Sequence, residues 1–154
     1  MEPTPSYAGF GARFVAALID GILLGVVNFV IMTPLLGKTI SLAMQADDGV
    51  VSEFDLMVWI TTFLISNIAI MLAAWLYYAI MESSAYQATL GKKLMGIKVT
   101  DLQGARIGFG RATGRYFGKI LSALIFMVGY LMAAFSEKKQ ALHDMISGCL
   151  VVKG

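Results

Sequence analysis

Residues 56–81 run for 26 positions without one charged side chain. As an α-helix that run spans about 39 Å, at about 1.5 Å per residue. A bilayer's hydrocarbon core is about 30 Å thick. No soluble packing scheme demands so long an uninterrupted apolar block, and the chain carries two more. Phe14 to Gly37 covers 24 residues and is apolar apart from Asp20, Asn28 and Thr33. Ile120 to Ser136 is uncharged for 17 residues, the lower limit for a span, with Gly129 near its middle. The composition agrees: 58% of residues are hydrophobic and 14% charged, against about 45–50% and about 25% in soluble domains. The sequence therefore predicts a single 154-residue, all-α membrane domain. Its helices span about 14–36 and 56–81, and a third segment, about 117–136, either crosses the bilayer or re-enters it.

The charged residues lie between these blocks and are sorted by sign. Pro34 and Gly37 mark the predicted end of the first helix. The loop expected over 38–55 holds Lys38 against Asp47, Asp48, Glu53 and Asp55, a net of −3. Residues 82–119 carry seven basic residues against Glu82 and Asp101, a net of +5. Positive loops stay on the cytoplasmic side. This predicts a multi-pass membrane protein with its N-terminus inside. Residues 1–12 lack Lys and Arg, unlike the start of a secretory signal, so the first segment is expected to be retained. Trp59 near one end of the second span and Trp75, Tyr77 and Tyr78 near the other suit interfacial positions. Within the basic stretch, Ile97 and Val99 alternate with Lys98 and Thr100. Ala105, Ile107 and Phe109 alternate after turn residues at 101–104. A small basic cytoplasmic β-hairpin over 95–109 is the expectation.

Asp20 is the sharpest signal for function. An unpaired carboxylate at that depth costs on the order of 2.5–3.5 kcal/mol, so it must face protein or water, find a cation, or hold a proton. Arg13 lies seven residues earlier, close to two turns, on the same face and about 10 Å away along the axis. Two readings stay open: Asp20 handles a proton or cation, or it makes a structural contact between helices. Asn28 and Asn67 are candidates for a polar lining, with ordinary interhelical hydrogen bonds as the alternative. Gly21/Gly25, and Gly110/Gly114/Gly118, have the four-residue spacing of close helix packing. That packing is expected first within the chain and second in a homo-oligomer. Arg111, Arg115 and Lys119 follow at i, i+4 and i+8, a predicted basic ridge facing anionic lipid headgroups.

Other chemistry finds no support. One cysteine, Cys149, and one histidine, His143, cannot form a disulfide framework or a tetrahedral zinc site. The net charge of +2 gives nucleic-acid binding no basis. His143-Asp144 lacks the further histidines of a metal phosphohydrolase. Gly91-Lys92-Lys93 lacks the upstream glycine and the following Ser/Thr of a phosphate loop. No catalytic set, cofactor or metal site is expected.

Three stretches carry a family resemblance: GFGARFVAALID at the start, TLGKKLMGIKVTDLQG in the centre and ALHDMISGCLVV at the close. In this order, over roughly Tyr7 to Val152, they resemble the RDD family of bacterial membrane proteins. Arg13, Asp20 and Asp144 match that family's arginine and two aspartates. Cys149 departs from an expected threonine. The resemblance implies a small multi-pass protein of a bacterial cytoplasmic membrane, without a settled molecular function. For such proteins transport of unidentified ligands, and in some members cation/proton exchange, has been suggested. It implies Arg13, Asp20 and Asp144 as a functional trio and nothing more. The leading expectation for the chain itself is a transport-related function, with Asp20 binding a proton or cation, Arg13 modulating its charge and, if the C-terminus lies inside, Asp144 acting as gate or counter-charge. The alternative is a membrane scaffold or assembly partner in which the trio only holds the fold.

Overall fold

A computed structural model of the chain describes residues 6–45, 52–124 and 128–154. The chain divides into two units, Met1–Gly21 with Trp75–Gly154, and Ile22–Ala74. The second unit consists of the greater part of two long helices, α1 (Phe10–Gln45) and α2 (Glu53–Ser83). Both are long and apolar enough to cross a membrane. Ile22, Phe29, Val30, Ile65 and Ile68 lie exposed on them. That is costly in water and favourable against lipid tails.

Both helices extend beyond the expected spans. α1 passes through Pro34 and continues to Gln45, where an end at Pro34–Gly37 was expected. Proline removes one backbone donor, but in apolar surroundings no water competes for the remaining bonds, so the helix persists. The hydroxyls of Thr33 and Thr39 each donate to the carbonyl four residues back, Phe29 and Leu35. α2 begins earlier than expected because Ser52 caps it. The Ser52 hydroxyl accepts from the Asp55 N–H at 3.1 Å and donates to the Asp55 carboxylate at 2.6 Å. Glu53 and Asp55 then sit in the first turn, where negative charge suits the helix dipole. Lys38, Glu53 and Asp55 of the expected acidic loop are thus helical, while Asp47 and Asp48 lie outside the described residues.

The first unit holds the start of α1, the end of α2 and everything that follows: α3 (Leu90–Leu94), β1 (Ile97–Asp101), α4 (Phe109–Leu124), α5 (Val128–Phe135), α6 (Leu142–Ser147) and β2 (Cys149–Lys153). A small two-stranded antiparallel sheet is present, but its second strand is not the expected one. The turn after β1 forms: the Asp101 N–H donates to the Ala105 carbonyl at 2.8 Å, and the Asp101 carboxylate accepts from Gln103 and Ala105. Residues 105–108 form no strand and α4 follows. The partner of β1 is β2, with Val99 opposite Val151 and Asp101 opposite Cys149. Cys149 to Val152 are all buried, so CLVV offers β1 an apolar stretch that ARIGF, with Arg106, cannot match. Ile107 still points into the core.

Both sheet edges are covered. The Lys153 N–H donates to the Ser6 carbonyl and the Ala8 N–H to the Val151 carbonyl, at 2.8 and 2.9 Å, which lays the N-terminal arm along β2. On the other side the Val99 N–H donates to the Gln87 carbonyl at 2.7 Å. Neither edge is left to pair with another chain. The core beneath comprises Ala8, Ala16, Ala79, Ile97, Val99, Ile107, Ala112, Cys149 and Val151.

The third apolar run is divided between α4 and α5, and α5 folds back on α4. A Cβ on Gly129 would lie 2.7 Å from the Cβ of Ser122, and the Tyr130 hydroxyl donates to the Lys119 carbonyl at 3.1 Å. A continuous helix would carry Gly129 about 10 Å beyond Ser122. Glycine is what lets the two segments touch. Of the two glycine series, only Gly118 packs tightly: a Cβ there would lie 3.0 Å from the His143 Cβ. A Cβ at Gly21, Gly25, Gly110 or Gly114 would meet nothing within 4 Å among the described residues. The expected close packing within the chain is therefore absent at those four positions.

Candidate functional site

Asp20 lies in the third turn of α1 and is 1% exposed. Its two oxygens are met by donors from the end of α2 and from the segment entering α3. Oδ1 accepts from the Tyr77 hydroxyl and from the Gly91 N–H, both at 2.8 Å. Oδ2 accepts from the Thr89 hydroxyl at 2.5 Å. Thr89 is itself the N-cap of α3, its hydroxyl accepting from the Lys92 N–H at 3.4 Å. The Tyr77 hydroxyl accepts from the Leu90 N–H at 3.0 Å. Gly91 makes the approach possible, since a Cβ there would fall 2.1 Å from the Ala16 carbonyl oxygen. A carboxylate that accepts several hydrogen bonds is satisfied without a cation.

A second group of charges lies beside this latch. Asp144, in the first turn of α6, is fully buried. Its Oδ2 pairs with Arg13 Nη1 and accepts from the Ala141 N–H. Its Oδ1 accepts from Arg115 Nη2 at 2.6 Å and Nε at 2.8 Å. Arg115, 2% exposed, reaches on through Nη1 to Glu82 Oε2 at 2.8 Å. Glu82, 1% exposed at the end of α2, takes Lys92 Nζ at 2.5 Å and Lys119 Nζ at 3.4 Å on Oε1. Lys119 also stands 3.9 Å over the Tyr78 ring, a cation–π contact. The chain Arg13–Asp144–Arg115–Glu82–Lys92 thereby ties together α1, α6, α4, α2 and α3.

Burial alone would raise the Asp144 carboxyl. Arg115 and Arg13 outweigh it and hold the group well below the usual carboxylate range. Burial, reinforced by Arg115 and Lys119 and opposed by Glu82, pushes the Lys92 ammonium down to about 7. Burial likewise pushes His143 down to about 3, against the pull of Asp144, so it is neutral at physiological pH. Ser122, His143 and Asp144 fall in a line, with Ser122 Oγ 3.3 Å from His143 Nδ1 and His143 Nε2 3.5 Å from Asp144 Oδ1. They are not arranged as a nucleophilic triad. Ser122 is fully buried under Gly129 and donates to the Gly118 carbonyl, and both Asp144 oxygens are engaged by arginines.

Of the predicted trio, Arg13 and Asp144 meet, while Asp20 bonds to a separate set of partners. Arg13 donates to Asp144 and to the Ala8 carbonyl, not to Asp20. The predicted headgroup ridge does not hold as a unit. Arg115 is buried because two carboxylates draw it inward, and Lys119 is largely so. Arg111 remains half-exposed, 3.6 Å from Asp101. Asn28 and Asn67 are exposed on the long helices, and Asn67 donates to the Phe63 carbonyl of its own helix. They do not line a path within their unit. Sequence reading missed Glu82, Lys92, Tyr77 and Thr89. The available signal was Glu82 itself, a carboxylate at the end of an uncharged run, followed by a strongly basic stretch.

A profile of the RDD family matches residues 7–148. YxaI, an uncharacterized protein of Bacillus subtilis strain 168, is 39% identical over 146 residues, covering 94% of this chain and 96% of that protein. YteJ, an uncharacterized membrane protein of the same organism, is 31% identical over 155 residues, covering 97% of this chain and 82% of its own. No solved structure matches.

Proposed function

This chain belongs to the RDD family and is an integral membrane protein; from that premise we propose that it is a non-enzymatic membrane scaffold whose charged trio fastens a polar head, the first of the two units. The observation that carries this reading is the occupancy of Asp20. Its oxygens accept from three donors, Tyr77, Thr89 and Gly91. A bound cation needs oxygen ligands in those directions. Arg13 and Asp144 engage each other, and neither is free to gate or modulate Asp20.

The head faces the cytoplasm, and the membrane is the bacterial cytoplasmic membrane. The +5 stretch over 82–119 supports this orientation. The N-terminal arm and β2 are hydrogen-bonded together, so both lie on that side, and α4 with α5 re-enters rather than crosses. Arg111, exposed at the head's surface, suits contact with anionic headgroups. Gly21/Gly25 and Gly110/Gly114, open to approach, suit a homo-oligomer contact.

Reconstitution into liposomes separates this role from transport of a cation or proton. The scaffold reading expects no flux above protein-free vesicles. Flux in the wild type that a folded Asp20→Asn variant loses would establish transport instead.

A further inference from the structure

The charges buried in the head do not balance. Among the described residues, Arg13, Lys92, Arg115 and Lys119 stand around only two carboxylates, Glu82 and Asp144. With every group in its ordinary ionised form the cluster holds a surplus of two positive charges, in surroundings that solvate them poorly. Asp20 does not offset it, because its oxygens are turned to Tyr77, Thr89 and Gly91. His143 adds no charge of either sign while it is neutral.

One member can relieve the surplus by losing a proton. The arginines cannot, since guanidinium stays protonated in proteins. Lys119 is the more exposed lysine, with 19% of its side chain accessible against 9% for Lys92, and it has the Tyr78 ring as a second source of stabilisation. Among the described residues Lys92 has one anionic partner, Glu82 Oε1, shared with Lys119, and it faces Arg115 across that carboxylate. On its own helix, Lys93 turns outward over the Tyr86 ring. Asp144 of α6 connects to Glu82 through Arg115, and His143 stands beside Asp144.

We propose that Lys92 is a proton-binding site within the head, taking up and releasing one proton near neutral pH while the fold stays intact. On release, an Nζ–H bond breaks and its electron pair remains on nitrogen. The proton passes to water at the head's surface, and the cluster's surplus falls by one charge. The amine still donates a hydrogen bond to Glu82, so the contact weakens without being lost. The direction of the shift at Lys92 agrees with the charge count. The proposal goes beyond the scaffold role and does not rest on it.

The test is a pH titration of the full chain in lipid nanodiscs, with carbon-13 at the lysine ε positions, followed by NMR. The chain has eight lysines. One of them, Lys92, should titrate within about one unit of 7. Lys92→Arg should remove that signal. Should Lys92→Arg fail to fold, replacing the other seven lysines by arginine one at a time should leave the signal in every variant. The proposal is overturned if no lysine titrates below about 9, or if the low signal disappears in Lys119→Arg.

Discussion

The charge surplus makes an asymmetric prediction: removing a carboxylate from the cluster costs far more than removing a cation. Asp144→Asn is the sharpest case. The amide keeps the shape and the acceptor that caps the Ala141 N–H, so its effect reports charge. It leaves Arg115, 2% exposed, with one carboxylate instead of two, and Arg13 with none. It also raises the surplus from two charges to three. Breaking a buried pair by removing one partner costs about 3–5 kcal/mol, and that is the loss expected. Lys119→Met has the opposite effect on the surplus. It removes a partly accessible contact of 3.4 Å, of the kind worth about 0.2–1 kcal/mol, and lowers the surplus to one. The assay is denaturant unfolding in detergent micelles, followed by fluorescence. Trp59 and Trp75 are the two tryptophans. In a Trp59→Phe background the signal comes from Trp75, which packs on the head's core. Equal losses in the two variants, or an Asp144→Asn loss below about 1 kcal/mol, would refute the reasoning.

Three further outcomes are expected. Gly91→Ala drives a Cβ to 2.1 Å from the Ala16 carbonyl, so α3 must lift from α1. The loss should reach at least the about 1–3 kcal/mol of an overpacked core, read in the same unfolding assay. A reporter fused after Gly154 should read cytoplasmic, because β2 shares hydrogen bonds with the N-terminal arm; a periplasmic reading would mean that α4 and α5 cross the bilayer. His143 has its folded pKa near 3 and an ordinary value of 6.5. Between those values the unfolded chain binds a proton that the folded one refuses, so stability falls as pH drops from about 6.5 towards about 3. His143→Gln should flatten that slope in unfolding curves taken at successive pH values.

What the sequence revealed and what it hid have physical reasons. Long uncharged runs report membrane helices directly, because charge is costly in lipid. Asp20 stood out for the same reason. The partner of β1 was hidden because the turn signals at 101–104 are local, whereas the pairing that forms joins Asp101 to Cys149. Period alone placed Arg111, Arg115 and Lys119 on one helix face but could not say what that face meets. The answer depends on Glu82 and Asp144, which lie 33 and 29 residues from Arg115 in the chain. Gly91-Lys92-Lys93, which fails as a phosphate loop, is read by the fold in three directions: Gly91 against α1, Lys92 inward to Glu82 and Lys93 outward over Tyr86.

On the scaffold reading Asp20 holds α3 in place and carries nothing. Hydrogen exchange at the backbone amides of 89–95 in Asp20→Asn tests it most directly. The Gly91 N–H donates to Asp20 at 2.8 Å, and Thr89 holds the same carboxylate. Gly91 and its neighbours should lose protection while the long helices keep theirs. Unchanged protection across 89–95 would contradict it.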